Sequence, residues 1–580
     1  MKLKYLIIIV AFIISSCNKD FLESTPRGTL SDDVLNTPEA IELLCISAYA
    51  ALAGPEGDDA TFLSPTTNWI YGDVRAETAY KGGGGITDIW EFNAFETFNG
   101  VYATNGLLDR KWFHLYRSVQ RANSAIRRLN AVTEEQVPLK NVRLGEMKFL
   151  RAHYFFELSR LFNRIPYFDE NVEYEDYINI SNVEFTRDEI LSKISEELAA
   201  AAELLPTSQP EAGRATKYAA KAYQAKVTLY RAYRQNADNT LSTIDEGLLN
   251  EVVSLCDEVA AGGYGLLDDY QHLAEVEFEN GKESVFAVQY SIEDGTGNGR
   301  INWSNLLNVP RGPVYGGDGF FQPSQNLVNS FKTNASGLPA MDSYNNSNLM
   351  TVQDGLNTFV DPRLDFTVGR LGVRWKNYNA APYSESWARE PATYGYYSCK
   401  KFLLSPESPY MVNGWPWGGS ALNFQIIRYA DVLLWKAEAL IELGRQMEAL
   451  PIINTIRQRA KNSEYVLAWN NTSNTDYAAN YQIALYEDGV NCNWTQDYAR
   501  KALRFERKLE LAMEGERFFD LVRWGVAEET LNDYFAKEKS LRTYLQNAKF
   551  VKGRDEYFPI PQAQINFSGG LYQQNPGYNQ

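Results

Sequence analysis

Histidine and cysteine are the scarcest residues of this 580-residue chain, at three and five. His114, His153 and His272 are scattered and not at ligand spacing, so a histidine-based zinc site is not expected. No CxxC pair occurs, and the cysteines after the first are widely spaced. No GxSxG, HExxH or P-loop is present, so neither a nucleophile nor a cofactor cradle is spelled out. Positive charge is also short: 56 Lys and Arg against 73 Asp and Glu leave a formal net charge of -17. An acidic chain is a poor nucleic-acid binder, which needs a basic patch to displace counterions. Beyond the first residues, no segment is apolar enough to span a bilayer.

The N-terminus is a targeting segment. Lys2 and Lys4 precede a short apolar run, Leu6 to Ile14, and then Ile14-Ser15-Ser16-Cys17. This resembles a bacterial lipobox, in which Cys17 is acylated and becomes the mature N-terminus. Residues 1–16 are then a lipoprotein signal peptide and 17–36 a polar tether. Several acyl chains, at about 0.8 kcal/mol per buried CH₂, would hold the protein at a membrane. Of the remaining cysteines, Cys45 and Cys256 lie in helical runs and are expected as buried thiols. The disulfide state of Cys45, Cys256, Cys399 and Cys492 is open at this point.

Helical periodicity dominates both ends of the mature chain. Thr37-Pro38 has the form of an N-cap followed by proline at the first helical position, with Ile41, Leu44, Cys45, Ala48 and Leu52 on one face. Residues 37–263 form a helical scaffold interrupted by an irregular insertion, 54–110. Thr216 to Tyr233 carries a stripe of Ala219, Tyr223, Val227 and Tyr230. Residues 264–424 lose the helical period and are rich in Gly, Pro, Asn and Trp, with short strand-like runs such as SVFAVQY. Helices return over 425–580 before an extended tail. Ala437 and Ala449 flank Gly444, as small residues do where two helices of a tetratricopeptide-like pair cross closely. The expected fold is therefore mainly α, a tetratricopeptide-like helical-repeat scaffold with an irregular, loop-rich second lobe.

CNKDFLE after the signal, RAHYFFELSRLFNRIPYF, IRYADVLLWKAEALIELG, RKLELAMEGERFFDLVRWG and the tail YFPIPQAQINFSGGLYQQNPGY occur in that order. Together they resemble the SusD/RagB family of Bacteroidetes outer-membrane lipoproteins across essentially the whole mature chain. The resemblance implies a surface lipoprotein that binds a glycan, or in some members a peptide. It also implies a partner, a SusC-like TonB-dependent transporter, on which such a protein sits as a lid. Asp20 and Glu23 are similar to a surface-export signal, which Lys19 interrupts. In RKLELAMEGERFFDLVRWG, Glu506, Glu510 and Glu514 alternate with Arg507, Arg517 and Arg523. That pattern is expected as an ion-pair network tying helices together, with Phe518, Phe519 and Trp524 in the core.

Aromatic residues are plentiful, with 36 Tyr, 29 Phe and 12 Trp. A pyranose presents a C–H face that stacks on a ring, and hydroxyls that need amide, carboxylate or guanidinium partners. Trp112, Trp435 and Trp524 fall in helical patterns and are expected in the core. Trp469 and Trp494 fit either role. Trp69, Trp90, Trp303, Trp375, Trp387, Trp415 and Trp417 fall in Gly-rich irregular segments, where at least two are expected to line one site. The resemblance points to the segment before WFHLYR and to the middle lobe. Those segments hold Trp69, Asp73, Arg75, Trp90, Tyr102 and Asn105, then Trp303, Arg311 and Tyr315. Asp73 and Arg75 would pair an acceptor with a forked donor for vicinal hydroxyls, or bridge each other across a turn. One of Trp415 and Trp417 is expected to pack inward. Lys81 to Gly85, KGGGG, is not a phosphate loop, because the lysine precedes the glycines; it has the composition of a loop that closes over ligand.

The expected function is thus a non-catalytic glycan binder feeding a transporter, with no cofactor. Whether a calcium ion orders the loops is open. The alternatives are a peptide-binding RagB-like protein, a surface glycoside hydrolase using a carboxylate pair, and a repeat adaptor that binds only protein.

Overall fold

The computed structural model describes residues 35–54, 61–296, 300–312, 314–412, 414, 417–469 and 476–579. Cys17, Asp20, Glu23 and Trp415 lie outside them. The first helix, α1 (Pro38–Ala50), starts as its sequence dictates: Thr37 Oγ1 accepts the Ala40 N–H at 3.3 Å, Pro38 opens the helix, and Ile41, Cys45 and Ala48 face inward. A short helix, α2 (Trp90–Thr97), precedes α3 (Gly106–Ala131) and α4 (Lys140–Phe162). Nearly every residue of α4 from Gly145 onward is buried, as expected of a helix with neighbours on all sides. Then come α5 (Arg187–Leu204), α6 (Lys217–Ala232) and α7 (Glu246–Ala260). Thr186 and Glu189 close a reciprocal cap on α5, and Thr216 caps α6. Each helix from α3 to α7 packs on the next. The stripe of Ala219, Tyr223, Val227 and Tyr230 is buried.

The C-terminal helices are α8 (Tyr429–Glu442), α9 (Gln446–Asn462), α10 (Gln496–Glu510), α11 (Arg517–Arg523), α12 (Ala527–Glu538) and α13 (Gln562–Phe567). Helix α8 packs on α7, α9 and α10, joining the two helical blocks. Ala437 and Ala449 are fully buried, and Gly444 turns the chain between their helices at φ 73°. Among the described residues, no helix is long and apolar enough to cross a membrane.

Four short strands stitch the irregular lobe to this frame: β1 (Ala79–Gly82), β2 (Ser284–Val288), β3 (Phe320–Pro323) and β4 (Phe424–Arg428). Strand β1 pairs antiparallel with β3, Tyr80 opposite Gln322. Strand β2, within the SVFAVQY run, pairs antiparallel with β4, which leads into α8.

The glutamates of α10 and its following turn anchor a buried ion network. Arg363 contacts Glu506 (2.7 Å), Glu510 (3.1 Å) and Asp361 (2.8 Å). Arg428 contacts Glu283, Glu510 and Glu514 within 3 Å. Arg507 clasps Asp520, and Arg523 bridges Asp520 and Glu438. These groups connect α8, α10, α11 and the middle lobe. Phe518, Phe519 and Trp524 are core residues. Cys45, Cys256 and Cys399 are buried free thiols, and Cys492 is free and partly exposed.

Candidate ligand-binding face

The segment before α2 is much more enclosed than its glycine-rich composition suggests. Residues Trp69–Val74 form a single π-helical turn, all six buried. Trp69 is packed among Phe92, Phe320 and Phe321, and its Nε1–H donates to Ser304 O at 3.0 Å. It cannot offer a face to a sugar. Asp73 is also fully enclosed: Oδ2 accepts the Gly515 N–H at 2.5 Å and Oδ1 the Thr78 hydroxyl at 2.9 Å. Burial pushes its carboxyl up to about 7. Arg75 neither bridges Asp73 nor reaches solvent. Its guanidinium lies between the rings of Phe518 and Phe558, at 4.0 and 3.9 Å, and donates to Asp555 O at 2.7 Å. Desolvated cation–π contacts of this kind contribute about 2 kcal/mol.

Three more candidates turn out to be structural. Asn105 caps α3, its Oδ1 accepting the Leu107 and Leu108 N–H groups at 2.9 and 3.4 Å. The helix therefore starts at Gly106, ahead of the Lys111 at which apolar periodicity becomes visible. Trp303 is buried with Ile301 and Leu306 under Phe62 and Val412. Tyr315 belongs to an aromatic cluster with Trp375 and Trp387; its hydroxyl donates to Leu404 O at 2.6 Å and accepts Trp375 Nε1–H at 2.8 Å.

Trp90, Tyr102 and Arg311 remain open. Trp90, the first residue of α2, is 49% exposed and Tyr102 61%. Tyr102 lies in the turn that follows α2 and folds back on it: a Cβ on Gly100 would sit 3.7 Å from the Tyr102 ring and 4.0 Å from Ala94 Cβ. Arg311 is exposed on a turn pinned at both sides: its N–H donates to Trp387 O at 3.1 Å, and its carbonyl accepts the Gly316 N–H at 2.8 Å.

What the structure assembles beside Trp90 is a charged group absent from the sequence-based set. Arg389 Nη1 contacts Asp88 at 3.3 Å and Asp318 at 3.2 Å. Asp88, two residues before Trp90, also accepts the Gly84 N–H at 2.8 Å. Burial raises the Asp318 carboxyl, while Arg389 and Arg311 oppose that shift. The 309–319 loop reaches the glycine turn through Gly83 N–H to Gly319 O at 2.9 Å. Its other end meets Gly418: a Cβ there would lie 2.4 Å from Val309 Cγ2. Trp417, next in line, is 44% exposed. Two half-open indoles thus flank a strip holding Arg311, Asp318, Arg389 and Asp88. No local signal marks Asp318 or Arg389; the β1–β3 pairing brings Asp318 to the turn, and the 387–389 segment, bonded to Arg311 N–H through Trp387 O, brings Arg389.

Lys81 explains the KGGGG motif. Its buried Nζ donates to Gly85 O at 2.8 Å and Asp88 O at 2.5 Å, tying down the turn that leads to Trp90. Among the described residues, no group of three or more His, Cys, Asp or Glu could hold a metal ion.

A helical-repeat frame with an irregular lobe, and open rings where the lobe meets the frame, defines the class. Residues 282–578 match the model of the SusD family, and 20–229 that of a family described as starch-binding and associating with the outer membrane. The chain belongs to the SusD/RagB family. It is 24% identical to a SusD-like protein, P2, of Formosa agariphila, over 99% of this chain and all of that one. A SusD homolog of Bacteroides thetaiotaomicron superposes with a TM-score of 0.70 at 20% identity, covering 94% of this chain and 98% of the other. Surface glycan-binding protein A of the same species, solved with laminarihexaose, superposes at 0.60 with 19% identity, covering 93% and 99%.

Proposed function

We propose that this protein binds a glycan at the cell surface and passes it, unaltered, to a SusC-like TonB-dependent transporter, held there by lipid on Cys17. The observation that carries the reading is Trp90: a half-open indole at a helix terminus, beside carboxylate and guanidinium groups that suit sugar hydroxyls. Trp90 and Trp417 would stack on C–H faces, and Arg311 and Asp318 would bond hydroxyls. Tyr102 would meet a longer chain. Relatives whose names or structures refer to laminarin and laminarihexaose support the ligand class. Outer-membrane association agrees with the family description matched by residues 20–229.

The reading is binding without hydrolysis, with Asp88 and Asp318 engaged as partners of one guanidinium nitrogen of Arg389. Titration calorimetry against a polysaccharide panel tests the reading. Wild type should bind one glycan, Trp90→Ala should weaken it about tenfold or more, and no new reducing ends should form. Binding unchanged in Trp90→Ala and Trp417→Ala would remove the assigned face. Steady release of reducing ends would replace the binder with a hydrolase.

A further inference from the structure

A cleft of about 530 Å³ opens in the middle lobe, away from the Trp90 turn. Phe278, 38% exposed, and the half-buried Tyr465 line it with aromatic surface, Tyr270 and Phe366 are buried in its wall, and Lys376 and Lys400 supply two ammonium groups. Glu277, Glu407 and Glu464 are exposed residues of its lining, Glu275 is a half-buried one whose charge favours the Lys376 ammonium, Lys376 is half-buried and Lys400 is buried. Lys400 Nζ donates to two backbone carbonyls, Asp365 O at 2.6 Å and Arg374 O at 2.9 Å, which leaves one N–H over. Among the described residues, neither Lys376 nor Lys400 has a carboxylate at ion-pair distance, in contrast to the adjacent Lys401, which pairs with Glu514. The buried Ser405 Oγ, also in the lining, has no hydrogen-bond partner among the described residues. Lys376 itself sits at φ 47°, a left-handed conformation that a non-glycine residue adopts at a cost.

We propose that this cleft is a second binding site, for a carboxylate-bearing saccharide of about two rings. Its volume falls in the range of small-molecule sites. Two cations with no carboxylate at ion-pair distance among the described residues, an unpaired hydroxyl, and the rings of Phe278 and Tyr465 match a carboxylate, a sugar hydroxyl and two C–H faces. Burial holds the Lys376 ammonium down to about 8 and that of Lys400 to about 7, a cost that an anionic ligand would offset. The site is built independently of the face around Trp90. Tyr315, Trp375 and Trp387 form a wall, with Arg311 bonded to one part of it and the cleft residue Leu404 to another.

Titration calorimetry with digalacturonate, and with neutral galactobiose as control, tests this. Wild type and Trp90→Ala should bind digalacturonate equally, and galactobiose about tenfold or more weaker. Lys376→Asn removes the charge while tolerating the left-handed backbone, so it should melt like wild type and lose about tenfold or more in digalacturonate affinity. Ser405→Ala should lose less, in the same direction. Equal affinity for the two sugars would overturn the proposal, as would no digalacturonate binding, or binding unmoved by both variants. Digalacturonate binding lost in Trp90→Ala would assign the acid to the other face and overturn the second site. Failure to bind any neutral glycan at Trp90 would leave this outcome untouched.

Discussion

Asp73 and Arg75 have the chemistry of sugar ligands and the surroundings of core residues. At the scale of single residues, what decides between those roles is the partner, and the partners lie hundreds of positions away: Gly515 for Asp73, Phe518 and Phe558 for Arg75. The contact is tight enough to exclude a methyl group. A Cβ on Gly72 would lie 1.8 Å from Gly515 O, a backbone atom that cannot swing aside. Gly72→Ala should therefore lower stability by more than about 3 kcal/mol, read from urea unfolding. A change under 1 kcal/mol would mean that the π-turn does not abut the 515 turn. The tryptophans separate in the same way. Trp303→Ala empties a packed pocket and should cost about 3–5 kcal/mol, with glycan affinity kept by the folded fraction. Trp90→Ala should do the reverse, losing affinity with an unchanged melting temperature. If both variants changed only stability, Trp90 would be a packing residue. Loop composition could not rank these indoles, because burial here follows from β1–β3 pairing and from packing against residues far along the chain.

At the scale of elements, the caps and stripes of α1, α5 and α6 were legible because each is set within a few residues. The start of α3 was not, since Asn105 serves as its cap and the first turn carries little periodicity. The charged pattern around α10 was legible as a network but not in its partners, Arg363, Arg428, Arg457 and Arg459, which come from other segments. Removing one member leaves a buried charge uncompensated. Glu510→Gln should cost about 3–5 kcal/mol, and a fully reversible cost under 1 kcal/mol would show that the network is dispensable. The network also shapes the pH response. Burial alone would raise Glu77 and Glu157, but Arg517 and Lys508 beside one, and Arg160 and His153 beside the other, hold both down to about 2. Their stabilisation is full above the ordinary carboxylate range and is lost as pH falls toward 2. Asp73 and Glu96 are shifted the other way, to about 7, chiefly by burial. Their contribution is full in acid and fades as pH rises through 7. The urea midpoint should peak at about pH 5, and Asp73→Asn should flatten the fall on the alkaline side. A midpoint that rises steadily from pH 5 to 8 would contradict the burial of these two carboxyls.

At the scale of the whole molecule, two helical blocks clamp an irregular lobe whose rings mostly point inward. Trp69, Trp303, Trp375 and Trp387 are all buried, so the loop-rich composition serves packing first. The class of fold could be seen in the order of helical segments; the open strip could not, because it exists only where three distant segments meet. That arrangement has an optical consequence. Trp112, Trp435, Trp494 and Trp524 are shielded along with the four buried loop indoles, whereas Trp90 and Trp417 are about half open. Acrylamide should quench a minor accessible fraction of the tryptophan fluorescence in the free protein. A bound glycan lying across the strip would cover those rings and reduce the quenching. In Trp90→Ala the protection should shrink, and in the Trp90→Ala, Trp417→Ala double variant it should vanish while the shielded emission stays unchanged. Protection that survives in the double variant would put the ligand over a different part of the surface, and the rings at the edge of the lobe would then have no role in holding it.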